Sequence, residues 1–318
     1  MPPGAAGTPA PRSILELDRF SEASVNRWNS ISADLDELNN VFQFNLEPER
    51  RRHRKDLIDA LSREQPVSVD LKNWARIVSF RYSGAPLSAA GSLSSYGGRF
   101  NPGFDLEPGT LDPFPALYLA ENYETAYREK FQRAVGDKVD GLTPEELALG
   151  EGGSHSTVIL TGQLNKIFDM THPDHLHGLA VILGKIKMPQ RAEVLKKRLK
   201  IPPKDLQMVT TSRQLFDVCT VQNWRVLPVQ YGLPAHGHII GEMIKAAGFE
   251  GILYSSTKAG GRCIALFPDQ LAPGSHVELL DASPDFVKHP RLDLETAEHL
   301  VGWDAWGYAP GGRRPSMQ

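Results

Sequence analysis

The chain has 318 residues, 41% hydrophobic and 23% charged, a composition that fits a folded globular protein of one large or two ordinary domains and excludes a disordered or fibrous one. Its net charge of -3 carries no basic footprint for nucleic acid, and it contains no run of about 18 apolar residues that would predict a membrane helix. Cys219 and Cys263 lie far apart without metal or redox spacing, which argues against a disulfide framework; with no signal-peptide pattern at Met1–Gly7, the expected compartment is the cytoplasm.

Residues 1–12 are rich in Pro, Gly and Ala and are expected to be disordered. From Ser13 to about Leu61 the pattern is helical, with Val25, Trp28, Ile31, Leu35 and Leu38 spaced by three and four; a strand signal appears at Pro66–Val69, and the N-terminal helical segment is taken to run over 13–71. The basic runs Arg51–Lys55 and Lys196–Arg198 have acidic neighbours and read as solvated helix faces. Alternation over Ile77–Tyr82 predicts a half-buried strand, and the Gly, Ser and Pro of 83–115 predict loops. Ala116–Ala120 is a short buried strand, and Asn122 is the expected N-cap of the helix that follows. Residues 136–153 form an expected exposed excursion. Thr157–Thr161 and Lys166–Asp169 read as two strands, and 174–228 as helices and loops. A helix over Ile239–Ala247 stops at Gly248 and feeds strands at Gly251–Tyr254, Cys263–Phe267 and His276–Leu280. Strands and helices without regular alternation predict an α+β fold, with a catalytic domain over 72–282 and a tail over 283–318.

Several polar residues stand at the edges of these elements. Arg81, followed by Tyr82, Ser83 and Gly84, offers a guanidinium fork to a phosphate or carboxylate at a strand end, or an edge salt bridge. Gly97-Gly98 before Arg99 permits close backbone approach to a ligand, and Asn101-Pro102 fixes the turn. Tyr118 is either a core tyrosine or a ring that stacks on a flat heterocycle. Glu129 lies on a helix, and Ser255 and Ser256 end a strand before a glycine turn, where a hydroxyl binds phosphate or caps the turn. The histidines of His172–His177 lack a second ligand pair, so no metal is expected; His236-Gly237-His238 reads as the polar start of a helix. There is no GxGxxG or P-loop.

Taken in order, Arg-Tyr-Ser-Gly, a Gly-Gly-Arg-aromatic-Asn turn, Ala-Leu-Tyr-Leu, a glutamate beyond it and a distant Tyr-x-Ser before Gly-Gly resemble the RES-domain family, named for its Arg, Glu and Ser. The resemblance covers 76–134 and about 240–280. It implies a fold similar to ADP-ribosyltransferase toxins, with a mixed or antiparallel sheet core, flanking helices and, here, an additional N-terminal helical segment. It further implies cleavage of NAD+ at the nicotinamide–ribose bond, with inorganic phosphate, water or a protein as acceptor, or a fold that keeps binding without turnover. On this resemblance Glu129 and Arg81 fall on the catalytic positions, and Arg99, Tyr118, Ser256 (Ser255 as near alternative), Tyr82 and Asn101 on substrate-binding ones. NAD+ is then a substrate and no resident cofactor is expected. An antitoxin or other inhibitory partner and a homo-oligomer are compatible with it; nucleic acid and membrane are not expected partners. Phe100 stands where tryptophan is common, and Arg262-Cys263 replaces a small residue and asparagine.

Overall fold

A computed structural model describes residues 22–131, 155–202, 206–221 and 223–302; the side chains of 22–28, 42–44 and 81 lie outside that description. The expected N-terminal disorder, the excursion at 136–153, the contributions of Val25 and Trp28 and the end of the tail therefore fall outside the described residues. Helices are α1 (Glu22–Arg52), α2 (Arg54–Ser62), α3 (Tyr123–Phe131), α4 (His177–Leu183), α5 (Gln190–Arg198), α6 (Ser212–Thr220), α7 (Val226–Tyr231), α8 (His236–Ala246) and α9 (Ala297–Val301). Strands are β1 (Val67–Ser79), β2 (Leu117–Ala120), β3 (His155–Met170), β4 (Gly251–Ser255), β5 (Arg262–Leu266), β6 (His276–Leu279) and β7 (Arg291–Leu292). The architecture is α+β.

The chain divides into two compact units, Met1–Lys55 with Val181–Thr210, and Asp56–Ala180 with Thr211–Gln318. This differs from the expected boundary near residue 72: most of α2 belongs with the sheet, where Leu57 and Leu61 are fully buried, and 181–210 groups with α1. In the helical unit, Leu38 of α1 is buried with Ala192 and Leu195 of α5. Arg191 forks onto Glu37 at 2.5 and 2.6 Å, and Arg198 reaches Asp34 at 2.9 Å. These pairs are exposed, so the apolar contact contributes most of the stability there. In the basic run, Arg51 and Arg52 are exposed at the end of α1, paired with Glu47 and Glu49, while Arg50 before them lies largely buried on Glu47.

The sheet unit is built on a ring of strands. The pairings β1–β2, β2–β5, β5–β4, β4–β3 and β3–β1 return to their start; β6 pairs with the middle of β3 on the edge opposite β1, and β7 with β6. All are antiparallel except β3–β4. Leu71, Leu117, Leu160, Leu164, Ile167, Ile264 and Leu266 are fully buried in its core. Two expectations are corrected at β1. The strand signal at Pro66–Val69 is not the end of the helical segment but the start of β1, which runs from Val67 through a register shift near Asn73, at φ 56°, into the strand expected at Ile77. It ends at Ser79, so Arg81 and Tyr82 sit in a 3-10 turn, Phe80–Tyr82, and not in a strand.

The two strands expected at 157–169 are one, β3, whose polar middle pairs with β1 on one edge and β6 on the other. Gly162, at φ 147°, is where β3 meets β6, and a Cβ there would lie 2.2 Å from the His276 carbonyl. The tail is not unstructured over its described part: Leu292 and Leu300 are fully buried, and the Ala89 N–H donates to the Leu300 carbonyl at 2.8 Å.

Candidate functional site

The turn Gly97–Pro102 is built from within. Gly97 has φ 90°, and the Gly98 N–H donates to both the Asn101 carbonyl (3.0 Å) and Asn101 Oδ1 (3.1 Å). Asn101 is fully buried, and its Nδ2 donates to the carbonyls of Ser92 (2.9 Å) and Phe114 (3.0 Å). The expected substrate contact of Asn101 is thus corrected: its polar atoms are engaged internally, and it positions the turn. The Tyr118 hydroxyl donates to Asn101 Oδ1 (2.9 Å) and accepts from the Phe100 N–H (3.0 Å), while its ring covers Gly98, where a Cβ would meet it at 2.4 Å. Burial pushes the phenol well above its ordinary range. Tyr118 is a satisfied, half-buried tyrosine whose ring forms the floor beneath the glycines.

Helix α8 backs this turn through two glycines one helical turn apart. A Cβ on Gly237 would lie 2.2 Å from the Arg99 carbonyl, and one on Gly241 2.0 Å from that of Phe100. Between them His238, fully buried, places Nε2 2.7 Å from the Gly98 carbonyl. Its Nδ1 accepts from the Ala235 N–H at 3.2 Å, so Nε2 carries the proton and donates to Gly98. Burial pulls its pKa down to about 4, against the opposing pull of that carbonyl, so the imidazole is neutral. The sequence placed His236–His238 at a helix start, where they are, without revealing this bond. The Gly-x-x-x-Gly spacing was the available signal.

Arg99 directs Nη1 to the last carbonyls of α6, at 2.7 Å from Thr220 and 3.3 Å from Cys219, where a cation meets the negative end of a helix. Phe100 packs edge-on against Tyr254 of β4, ring centroids 4.9 Å apart. A second arginine that sequence reasoning missed, Arg76 of β1, donates to the carbonyls of Tyr118 (2.9 Å) and Ser88 (3.0 Å) and so ties β2 to the loop before the turn. Burial lowers its pKa to about 10.

The other half of the site comes from α3 and the end of β4. Asn122 caps α3 as expected, accepting from the Thr125 N–H at 2.9 Å. Glu129 lies toward the far end of α3, half-buried, and Ser256 Oγ donates to its Oε1 at 2.5 Å across 127 residues of sequence. Ser256 Oγ also accepts from the N–H groups of Lys258 and Ala259, both at 3.1 Å. Of the two serines, Ser256 makes this bond, and Ser255 is exposed. Arg262, the departure in the glycine turn, forks onto Glu121 with a shortest contact of 2.5 Å and keeps that carboxyl below its usual range. It clamps β5 to the end of β2.

The halves share one electrostatic neighbourhood. Burial, first, raises the pKa of both Tyr254 and Cys263; Glu129 raises them further and Arg99 opposes it. Both also act on Arg225, whose pKa is lowered by desolvation and by Arg99 and raised by Glu129. Glu129 and Ser256 are thus joined directly, and Arg99, Tyr118 and Glu129 all act on Tyr254 of β4. Tyr82 is half-buried in the 3-10 turn beyond β1, and Arg81 stands beside it with its side chain outside the description. Among the described residues no group of three or more His, Cys, Asp or Glu could hold a metal ion. His172 lies 3.3 Å from Asp174, and His175 lies 3.7 Å from Glu64. No helix among the described residues is long and apolar enough to cross a membrane.

Residues 182–295 match the family model of the RES domain, so the resemblance to that family is shown over this span. The span contains Arg225, His238 and Ser256; Arg81, Arg99, Tyr118 and Glu129 precede it. Among solved structures, one described as the crystal structure of the M. tuberculosis MbcT-MbcA toxin-antitoxin complex is 14% identical and covers 77% of this chain and 97% of its own, with a TM-score of 0.40. No curated protein matches.

Proposed function

We propose that this protein consumes NAD+ by cleaving the nicotinamide–ribose bond, with inorganic phosphate as the first-choice acceptor and water or a protein side chain as the alternatives. The observation that carries the reading is the 2.5 Å bond from Ser256 to Glu129, which joins two distant segments, with Tyr254 of β4 within the field of both Glu129 and Arg99. The chemistry asks for little acid catalysis, because the pyridinium takes the electron pair of the broken C–N bond and departs as neutral nicotinamide. It asks instead for a carboxylate near the ribose carbon as positive charge develops there, and for cations that hold phosphate. In this reading Glu129 supplies the carboxylate and hydrogen-bonds the ribose hydroxyls, with Ser256 fixing its rotamer. Arg99 and Arg81 hold the pyrophosphate or the attacking phosphate, Tyr82 lines the same region, and Tyr118 offers its ring to the nicotinamide. A phosphate oxygen then forms the new bond to the ribose carbon. NAD+ is the substrate, and no resident cofactor enters the scheme.

The test is nicotinamide release from NAD+ with and without phosphate. Release stimulated by phosphate supports the phosphorylase; release indifferent to it points to water or protein as acceptor; binding without release sinks the enzymatic reading. Glu129→Gln keeps the volume and an acceptor for Ser256, and should lower release by about a hundredfold or more while leaving thermal stability unchanged. Full activity in that variant would overturn the role of Glu129. A toxin-like role in the cytoplasm, restrained by an inhibitory partner, belongs to the same proposal: expression should deplete NAD+ and arrest growth, and Glu129→Gln should abolish both.

A further inference from the structure

Three lysines among the described residues are half-buried: Lys196, Lys245 and Lys258. Lys196 donates Nζ to the Leu206 carbonyl, and Lys245 pairs with Asp269 at 2.8 Å. Both follow the rule that an ammonium drawn away from water finds an acceptor. Lys258 does not. Its backbone N–H donates to Ser256 Oγ at 3.1 Å, but among the described residues its ammonium has neither a hydrogen bond nor an ion pair. The carboxylates of the neighbouring segment are engaged elsewhere, Glu121 with Arg262 and Glu124 with Arg128.

Bonds on both sides fix the place of this lysine. The turn from Ser256 to Gly261 is anchored to α3 twice. At its start Ser256 donates to Glu129 at 2.5 Å; at its end Gly261 comes so near α3 that a Cβ would lie 2.3 Å from the Thr125 hydroxyl. Thr125 and Glu129 are four residues apart and share one face of the helix. Lys258 stands between the two anchors, and its N–H is bound to the same Ser256 oxygen that bonds Glu129. Thr257 and Gly260 of this turn are exposed, whereas Lys258 is half-buried, so its four-carbon stem is partly covered by the protein. A cation here also answers a difficulty of the site. Glu129 and a phosphate are like charges, and an ammonium beside the carboxylate lowers the cost of holding both.

We propose that Lys258 is a ligand-contacting residue whose ammonium takes an oxygen of a phosphate-type anion bound beside Glu129. The inference rests on the NAD+ reading only for the identity of that anion, since the pyrophosphate of a dinucleotide and inorganic phosphate present the same chemistry. The experiment is titration calorimetry on the full chain with inorganic pyrophosphate, inorganic phosphate, ADP-ribose and adenosine. The proteins are the wild type, Lys258→Gln, Lys258→Arg and, as a control for loss of one surface charge, Lys185→Gln at an exposed position. Lys258→Gln should weaken pyrophosphate and ADP-ribose by roughly ten- to a hundredfold and leave adenosine unchanged. Lys258→Arg should recover part of the loss, and Lys185→Gln should match the wild type.

A loss confined to inorganic phosphate would support the contact and assign it to the acceptor; a loss confined to ADP-ribose would assign it to the dinucleotide. Equal affinities for every anion in the wild type and Lys258→Gln would overturn the inference, as would an equal loss for adenosine or in Lys185→Gln, or a wild type that binds no anion. If the wild type releases nicotinamide and Lys258→Gln binds every anion as tightly, the inference falls and the NAD+ reading stands. A wild type that binds pyrophosphate through Lys258 but neither binds ADP-ribose nor releases nicotinamide would keep the inference and remove the NAD+ reading. The backbone N–H of Lys258 makes the bond that shapes the turn, so Lys258→Gln should keep the wild-type melting curve. Should it fail to fold, Lys258→Met, which keeps the stem without the charge, decides the matter: wild-type affinities for pyrophosphate and phosphate would overturn the inference.

Discussion

The turn Gly97–Pro102 is held by a set of half-buried bonds and close packing: buried Asn101 braces both ends, Tyr118 closes its floor, and His238 with Gly237 and Gly241 backs it. The turn from Ser256 to Gly261 is held more lightly. The Ser256 N–H donates to the Gly261 carbonyl at 2.9 Å, the hydroxyl caps two N–H groups, and Thr257 and Gly260 are exposed. One side of the candidate site is thus fixed by packing along its length, and the other by the few bonds around a single hydroxyl and one close approach, Gly261 against Thr125 of α3. The contrast separates two kinds of residue: those whose loss unfolds the turn, and those whose loss leaves the fold and changes the chemistry.

Glycine substitutions test the contrast most strongly. Gly241→Ala sets a Cβ 2.0 Å from the Phe100 carbonyl, whereas Gly260 has nothing within 4 Å. The first should cost about 1–3 kcal/mol and lower the melting temperature by roughly 2–4 °C for each kcal/mol, with activity falling as the turn shifts. Gly260→Ala should leave the melting curve in place. Equal melting curves for the two variants would remove the asymmetry.

A second effect follows from His238. Its unfolded value is near 6.5 and its folded value about 4, so the unfolded chain binds the extra proton first. The stabilisation is complete above pH 6.5 and is lost as pH falls through the folded value; His236, also lowered by burial, acts in the same direction. Denaturant midpoints should therefore fall from pH 6.5 toward 4.5, by an amount on the order of 3 kcal/mol at the lower end of the full window. His238→Gln should flatten this slope. The carboxylates lowered by ion pairing, such as Glu121, titrate below 4.5 and do not account for it.

The smallest expected effect on stability comes from Ser256→Ala, about 1 kcal/mol or less, because the neighbouring N–H groups can turn to water. Nicotinamide release should nevertheless drop about tenfold as Glu129 loses its fixed orientation. A variant that melts early but keeps its rate would reverse the assignment of the two turns.

Much of this arrangement was legible in the sequence, and the gaps have physical causes. β2, β4, β5 and the helix stopped by Gly248 follow from buried runs and glycine punctuation. The strand signal at Pro66–Val69 was not joined to Ile77–Tyr82 because the shift at Asn73 disrupts the period, and β3 was split because Thr161–Lys166 alternates poorly where both edges are paired. Asn101 was placed on the ligand because an asparagine in a glycine turn has the same sequence signature whether it faces outward or inward; only its burial decides. His238 was read only as the polar start of a helix, because its bond to the Gly98 carbonyl depends on how α8 packs on the turn, and no local pattern encodes such a contact.

The closed ring of strands sets an order of events during synthesis. β1 and β2 emerge early, but β4 and β5 complete the circuit only after Leu266. A nascent chain halted before Ser256 carries Glu129 and Arg99 without the hydroxyl that orients the carboxylate. An unfinished copy therefore lacks the Ser256–Glu129 bond, and the two halves of the candidate site meet only when the circuit of strands is complete.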